Sequence, residues 1–221
     1  MRVKVCCIAS VEEARLAHDA GADLLGLVSH TLSGAGAISD DRIRAIVDSL
    51  PASATPCLLT SELSPHEIAR HARSTRVKAV QLVGDISRQD VTALRSLIPG
   101  TLLIKVVHVE GPQSVDLASS YDAVADALLL DSVVREPGSD SLGGTGKTHD
   151  WNVSRRIVES VTKPVFLAGG LNPWNIEGAI AAVGPGGVDV CSGLRESGAL
   201  SQSLLTDFVA RARAVTGGRG R

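Results

Sequence analysis

LAGGLNPWNIEGAIAAVGPGGVDVCSG, residues 167–193, is the stretch of sequence that decides the fold. A short apolar segment runs into two glycines, a segment with helical periodicity follows Asn172-Pro173, and a second apolar segment ends close to another glycine. A strand, a helix and a strand in this order predict a βαβ unit with parallel strands and a right-handed crossover. The rest of the chain repeats this alternation.

Eight short apolar segments rich in Val and Leu occur along the 221 residues. Such segments are typical of strands that are buried on both faces of a parallel sheet. Eight βα units in a chain of this length favour closure into a barrel over an open sheet. The sequence therefore predicts an α/β fold, a single-domain (β/α)8 TIM barrel over residues 1–215, followed by a disordered tail at 216–221. The predicted strands are 2–8, 23–28, 55–60, 78–82, 102–107, 125–130, 164–168 and 187–191.

The predicted helices begin at recognisable capping residues. Ser10 and Glu13 form the spacing of a capping box, and Ser64 precedes a proline at the first helical position. Asn172 before Pro173 predicts a further helix start. The weakest helical pattern is the polar segment 112–121.

Composition excludes several classes of function. Hydrophobic residues make up 44% of the chain and charged residues 21%, and the net charge of −2 predicts no binding to nucleic acid or to an anionic membrane. No apolar run approaches the roughly 18 residues of a membrane span, and the start of the chain shows no signal peptide, so we expect a cytoplasmic protein. The four cysteines include no CxxC pair, which predicts neither a zinc site nor a disulfide framework.

Two reactive side chains fall at predicted strand ends, where the loops of such barrels carry the chemistry. Cys6 ends the first strand and is either a base or nucleophile or a small buried apolar residue. Asp131 follows the sixth strand and is either a turn cap or, in a dry pocket, a general acid with a raised pKa. His30 and His108 lie just beyond the second and fifth strands, and either could face a ligand or belong to an ordinary loop.

Glycines follow the last two predicted strands. Gly169 and Gly170, and Gly193 after Ser192, would let backbone N–H groups approach a phosphate, although tight turns alone would also use them. The segment GGTGKT at 143–148 is not a Walker A loop, because position 141 is serine and no strand leads into it. We interpret this segment as a loop that folds over a ligand.

Several motifs, taken in order, resemble the phosphoribosylanthranilate isomerase family, the barrel enzymes of tryptophan biosynthesis. The resemblance runs from about residue 3 to residue 215, and the last four motifs are highly specific in order and spacing. The matching segments are KVC (4–6), AVQL (79–82), LLD (129–131), GGTGKTHDW (143–151), LAGGLNP (167–173) and GVDV (187–190) with Ser192-Gly193.

The resemblance implies an Amadori rearrangement of an N-linked ribose 5-phosphate without a cofactor or a metal. Asp131 would be the general acid and Cys6 the general base. The phosphate would lie near the glycines after the last two strands, with Asp189 nearby. The expected partner is a small phosphorylated sugar-amine, and the expected assembly is a monomer or a homodimer. The implied phosphate residues are Gly169, Gly170, Asp189, Ser192 and Gly193, and the implied substrate loop contains Gly143, Gly144, Thr145 and Gly146.

The chain departs from the family on the side that holds the aromatic amine, which is the aglycone. The segment 29–37 lacks the family's Ser-Pro-Arg, whose arginine binds the anthranilate carboxylate, and Val83 replaces a histidine. Cys7 also stands where the family has glycine. Three interpretations stay open: the ordinary isomerase with His30 or His108 replacing the lost contact, a paralogue acting on another phosphoribosyl or sugar-phosphate substrate, and a non-catalytic binder of a phosphorylated ligand.

Overall fold

The computed structural model describes residues 1–30, 32, 36–132 and 148–217. Of residues 216 and 217 it describes the backbone alone. Eight parallel strands form one closed barrel in chain order, and a helix follows each strand. This confirms the predicted TIM barrel. The strands are β1 (Arg2–Val5), β2 (Leu24–Val28), β3 (Thr55–Thr60), β4 (Ala79–Leu82), β5 (Leu102–His108), β6 (Ala127–Asp131), β7 (Val165–Leu167) and β8 (Gly187–Val190).

The helices pack outside the sheet. The polar segment with the weakest pattern does form a helix, although no side chain caps its start. The helices are α1 (Val11–Asp19), α2 (Asp40–Ser49), α3 (Pro65–Thr75), α4 (Arg88–Leu97), α5 (Ser114–Tyr121), α6 (Trp151–Ser160), α7 (Ile176–Val183) and α8 (Gln202–Gly217).

The predicted serine caps form, and one predicted helix start is displaced. The Ser10 and Ser64 hydroxyls accept hydrogen bonds from the backbone N–H groups of Glu13 and Glu67. The Asn172 side chain instead accepts from the N–H groups of Trp174 and Asn175, so it caps a turn that precedes α7.

The barrel closes where β1 pairs with β8. Arg2 lies opposite Gly187, and Val5 lies opposite Val190. Alternate residues of each strand point into the barrel or out towards the helices, which gives two separate apolar clusters. The inner cluster contains Cys6, Leu24, Val28, Cys57, Leu59, Ala79, Val83, Ile104, Val106, Ala127, Leu129, Phe166 and Ala168.

The structure differs from the predicted boundaries at both ends of the chain. β1 ends at Val5, three residues before the predicted end, because Cys7 has a φ of 59° and turns the backbone out of the sheet. After β8 the chain forms a short 3₁₀ helix, Ser192–Leu194, and a small hairpin, Arg195–Glu196 with Ala199–Leu200. The last helix continues to Gly217, two residues past the predicted domain boundary. Among the described residues, no helix is both long enough and apolar enough to cross a membrane.

Candidate active site

Cys6 and Asp131 both belong to the inward-facing set at the carboxyl ends of their strands. Cys6 follows β1 and is part of the inner cluster, and Asp131 ends β6. Burial raises the pKa of Asp131 to about 7. The Ser132 N–H group opposes this rise, because it donates a hydrogen bond to Asp131 Oδ1 over 2.8 Å. The charges of Asp189 and Cys6 raise the pKa of Asp131 further. A carboxyl group with this pKa is protonated often enough near neutral pH to act as a general acid.

A buried ion pair lies beside the thiol of Cys6. Lys4 Nζ donates to Asp189 Oδ1 over 2.9 Å, and the two residues are 0% and 7% exposed. Burial alone would lower the pKa of Lys4, but the charges of Asp189, Cys6 and Cys57 and the hydrogen bond to Asp189 together outweigh it and leave that pKa above its ordinary value. Gly26 makes room for both side chains, because a β-carbon there would lie 3.1 Å from Cys6 Sγ and from Lys4 Nζ. The pair therefore places a positive charge next to the thiol.

Three thiols lie together where β1 meets β8. Cys7 Sγ is 2.7 Å from Cys191 Sγ and 3.9 Å from Cys6 Sγ. The contact with Cys191 and burial raise the pKa of Cys6, whereas Cys7 and the Lys4 ammonium group oppose them. Hydrogen bonds with Cys6 and with Cys7 lower the pKa of Cys191, and the hydrogen bond with Cys191 raises the pKa of Cys7. The protein surroundings therefore favour a thiolate at Cys191 over one at Cys6.

The left-handed backbone at Cys7 is held from outside the barrel. Arg195 donates to the carbonyl oxygen of Cys7, and its two Nη atoms bind the Glu13 carboxylate at 2.9 and 3.1 Å. This links the hairpin after β8 to α1 and to the turn that follows β1. Glycine adopts a φ of 59° without strain, which explains why glycine suits this position in the resembling family.

Next to Asp131 in the sequence, Ser132 begins a series of three side chains that are linked by hydrogen bonds. Ser132 Oγ is 3.2 Å from His149 Nδ1, and His149 Nε2 is 2.6 Å from Ser154 Oγ in α6. Burial lowers the pKa of His149 to about 4, so the ring is neutral at pH 7. Gly169 leaves room for this chain, because a β-carbon there would lie 2.2 Å from Ser132 Oγ.

The loops after β7 and β8 are in direct contact. A β-carbon on Gly193 would lie 2.0 Å from the carbonyl oxygen of Leu171, so only glycine fits there. Gly169 and Gly170 have φ values of 82° and 64°, which are left-handed conformations that favour glycine. Ser192 begins the 3₁₀ helix beside Gly193. The structure thus brings all four predicted loop residues to one region, whereas the Asp189 side chain points to Lys4.

Comparison with known proteins gives a family. The sequence profile of N-(5'-phosphoribosyl)anthranilate (PRA) isomerase matches residues 3–211. The chain belongs to this family. N-(5'-phosphoribosyl)anthranilate isomerase 2 of Methanosarcina mazei is 38% identical over 215 residues, which cover 96% of this chain and 94% of the relative.

Two solved PRA isomerases have the same fold. Monomers generated from dimeric phosphoribosylanthranilate isomerase of Thermotoga maritima superpose with a TM-score of 0.81 at 27% identity, covering 97% of this chain and 99% of theirs. A PRA isomerase in complex with reduced 1-(o-carboxyphenylamino)-1-deoxyribulose 5-phosphate superposes with a TM-score of 0.80 at 27% identity and the same coverage.

In this member of the PRA isomerase family, the residues on the expected aglycone side do not all face the same part of the molecule. Val83 is 6% exposed and belongs to the inner cluster with Cys6. His108 pairs in register with Asp131 across β5 and β6. His30 directs its Nδ1 towards Asp40 at the start of α2, 3.3 Å from the carboxylate. Residues 143–146 of the expected substrate loop lie outside the described residues.

Sequence reasoning missed two polar residues of the barrel interior. Both lie in motifs that match the family, Lys4 in KVC and Gln81 in AVQL. Lys4 neutralises Asp189, and Gln81 Oε1 is buried on β4 with no hydrogen-bond partner among the described residues. An alternation of one apolar and one polar residue in β1 was the available signal.

Proposed function

We propose that this chain catalyses the Amadori rearrangement of N-(5'-phosphoribosyl)anthranilate, an aldose–ketose isomerisation in tryptophan biosynthesis. The observation that carries the proposal is the common location of Cys6 and Asp131 in the barrel interior, close enough for the charge of one to raise the pKa of the other. An acid and a base held together are what this reaction needs, because it moves one proton to oxygen and removes another from carbon.

The proposed proton transfers use Asp131 and Cys6 in turn. Asp131, with its pKa raised to about 7, protonates the ring oxygen, and the furanose opens to an imine. Cys6, as a thiolate, takes the proton from C2, and the electron pair moves to the imine nitrogen to give an enolamine. Protonation of that enolamine at C1, with loss of the proton from the C2 hydroxyl group, gives the ketone. The Lys4 ammonium group lowers the energetic cost of the thiolate at Cys6.

The phosphate end of the proposed substrate lies at the loops after β7 and β8. The contact between Gly193 and Leu171 supports one shared pocket of backbone N–H groups for a phosphate. In this proposal Gly169, Gly170 and Ser192 contribute to the pocket, and Asp189 acts by orienting Lys4. Gly143, Gly144, Thr145 and Gly146 would form the loop that covers the substrate.

Val83 favours a second candidate substrate. An apolar, nearly buried side chain stands where the family has a histidine, and the segment 29–37 has no arginine. Loss of a charge-assisted contact to a carboxylate costs about 1.5–3 kcal/mol of binding. A phosphoribosyl amine with a smaller or uncharged aglycone would not need that contact, and His108 beside Asp131 is a possible replacement for the ordinary substrate.

The test is a fluorescence assay in which N-(5'-phosphoribosyl)anthranilate is generated in situ. We expect turnover by the wild type, loss of turnover in Asp131→Asn, and unchanged turnover in Asp116→Asn, whose side chain is exposed on α5. No turnover by the folded wild type would instead select the second candidate, and the assay would move to other phosphoribosyl amines. Ligand binding without turnover of any such amine would favour a non-catalytic binder.

The proposed partner is a small phosphorylated sugar-amine. Two solved relatives support this proposal: one is in complex with a phosphorylated ligand, and the T. maritima isomerase is dimeric. A monomer or a homodimer is the expected assembly of this chain. Light scattering of the purified protein distinguishes the two.

A further inference from the structure

Four side chains that the proposed isomerase chemistry does not use meet between α2 and α3, outside the barrel sheet. Asp40 Oδ1 is 3.3 Å from His30 Nδ1 and 3.0 Å from His71 Nε2. The two imidazole rings are 5.4 Å apart between centroids. Glu62 Oε2 is 3.3 Å from the other nitrogen of the buried His71 ring. Within the described residues, His30, Asp40 and His71 form the one group of three ligand-type side chains whose atoms all lie within 4.8 Å of one another.

We propose that His30, Asp40 and His71 bind one Zn²⁺ ion. Two imidazoles and a carboxylate are ordinary zinc ligands, with metal–ligand distances of about 2.0–2.2 Å. Ligand atoms at the corners of such a tetrahedron are roughly 3.3 Å apart. The distances of 3.0 and 3.3 Å from Asp40 Oδ1 are close to that spacing, and all three ligand atoms lie within 4.8 Å of one another, so a metal fits once side-chain movements bring the two ring nitrogens to that spacing.

Glu62 prepares His71 for this role. A hydrogen bond from His71 Nδ1 to the Glu62 carboxylate leaves the lone pair on Nε2, which faces Asp40. Glu62 is itself held, because the Thr60 hydroxyl donates to its Oε2 over 3.2 Å. A carboxylate behind a ligating histidine is the common outer partner in zinc sites, where it fixes the ring and makes it more basic.

A protonated His71 between two carboxylates is the competing explanation. It accounts for the contacts of His71 with Asp40 and Glu62, but it gives His30 no part. The His30 side chain is 63% exposed and still directs its Nδ1 to the same carboxylate oxygen. Two imidazole N–H groups that donate to this oxygen would give the same contacts, so titration with a metal decides between the two explanations. In the zinc site, the exposure of His30 leaves a fourth position open to water.

The site would join separate parts of the chain. His30 follows β2, in the segment where this chain lacks the family's arginine, whereas Asp40 begins α2 and His71 lies within α3. The bound ion would join His30 to the two outer helices. This inference goes beyond the proposed isomerase, and its test does not depend on turnover.

The experiment is a titration of the chelator-treated full-length protein with Zn²⁺ alone, in competition with a chromophoric chelator, repeated with Co²⁺ to read the ligand types. We expect one equivalent of Zn²⁺ and a tetrahedral Co²⁺ spectrum without a thiolate charge-transfer band. His30→Gln is the first variant, because the exposed residue can be changed without unfolding, and it should abolish stoichiometric binding. His66→Gln, which changes an exposed histidine on α3, the helix that carries His71, should bind like the wild type.

Two further results bear on the proposal. Glu62→Gln should weaken Zn²⁺ binding by about 10–100-fold while it keeps the stoichiometry. A Co²⁺ spectrum with thiolate bands that is unchanged in His30→Gln would place the metal on the cysteines and overturn the proposal. Absence of any stoichiometric binding to the folded wild type would overturn it as well.

Discussion

Lys4 Nζ donates to Asp189 Oδ1 over 2.9 Å inside the barrel, where one residue is 0% exposed and the other 7%. Removing one partner of such a pair leaves an uncompensated buried charge, so we expect Lys4→Met to lower the free energy of unfolding by about 3–5 kcal/mol. Urea denaturation followed by circular dichroism measures the change.

The double variant Lys4→Met/Asp189→Leu is the control for this first prediction. Apolar replacements of both partners leave no charge behind, and we expect most of the lost free energy of unfolding to return. A double variant as unstable as Lys4→Met would show that packing around Lys4, and not its charge, determines the loss.

The pH dependence of kcat/KM should be a plateau with two limbs. The active form needs Asp131 protonated and Cys6 as thiolate, although the pKa of the acid, about 7, is below the raised pKa of the base. Below about pH 7 only the thiolate fraction changes, so kcat/KM rises with pH. Above about pH 7 the falling fraction of protonated Asp131 cancels the rising fraction of Cys6 thiolate, so kcat/KM stays constant. Once Cys6 is fully titrated, only the loss of protonated Asp131 remains, and kcat/KM falls. A decline that begins at pH 7 would contradict this assignment.

Substitutions of the thiols should separate the base from its neighbour. Cys6→Ala should lower kcat by about 10²–10⁴-fold, the usual contribution of a general base. Cys191→Ala should keep turnover and move the alkaline limb to lower pH, because the contact with Cys191 raises the pKa of Cys6. A loss in Cys191→Ala as large as that in Cys6→Ala would make Cys191 the base.

Cys7→Gly should be more stable than Cys7→Ala. Both variants remove the thiol, but only alanine keeps a β-carbon at a φ of 59°. The left-handed conformation costs an ordinary residue roughly 1–2 kcal/mol, which the greater chain entropy of unfolded glycine partly offsets. We expect a difference of about 1 kcal/mol in the free energy of unfolding, measured by urea denaturation, and equal stabilities would mean that the turn has relaxed.

Gly193→Ala should weaken binding at the proposed phosphate end. The new β-carbon would lie 2.0 Å from the carbonyl oxygen of Leu171, so the loops after β7 and β8 must separate. We expect a higher KM for the phosphorylated substrate at an unchanged pH profile. Gly178→Ala in α7 is the matched control, because a β-carbon there meets nothing within 4 Å, and a similar rise in its KM would refute the explanation.

The parts of this protein that follow from local sequence could be predicted. The eight strands, the caps at Ser10 and Ser64, and the position of Cys6 and Asp131 at strand ends all depend on residues close together in the chain. Helix α7 begins later than predicted because the Asn172 side chain caps the preceding turn, which the dipeptide Asn-Pro does not distinguish.

Contacts between distant segments could not be predicted. Lys4 and Asp189 are 185 positions apart, and only barrel closure brings β1 beside β8. His71 is 3% exposed because α3 turns it towards Asp40, and the sequence of that helix does not show which residue it will meet. A metal site is recognised in a sequence by closely spaced ligands, and His30, Asp40 and His71 do not have that spacing.

The short distance between the sulfur atoms of Cys7 and Cys191 has a consequence for the covalent connectivity of the chain. The two sulfurs are 2.7 Å apart and belong to residues separated by 184 positions. Oxidised glutathione could convert the two thiols to a disulfide, with both hydrogens and two electrons passing to glutathione. The barrel, which is closed between β1 and β8 by hydrogen bonds, would then also be closed by a covalent bond. Most of the polypeptide, from Cys7 to Cys191, would form one covalent loop. Because the unfolded state of such a loop has less conformational entropy, the free energy of unfolding would rise by about 5 kcal/mol in the chain-entropy description.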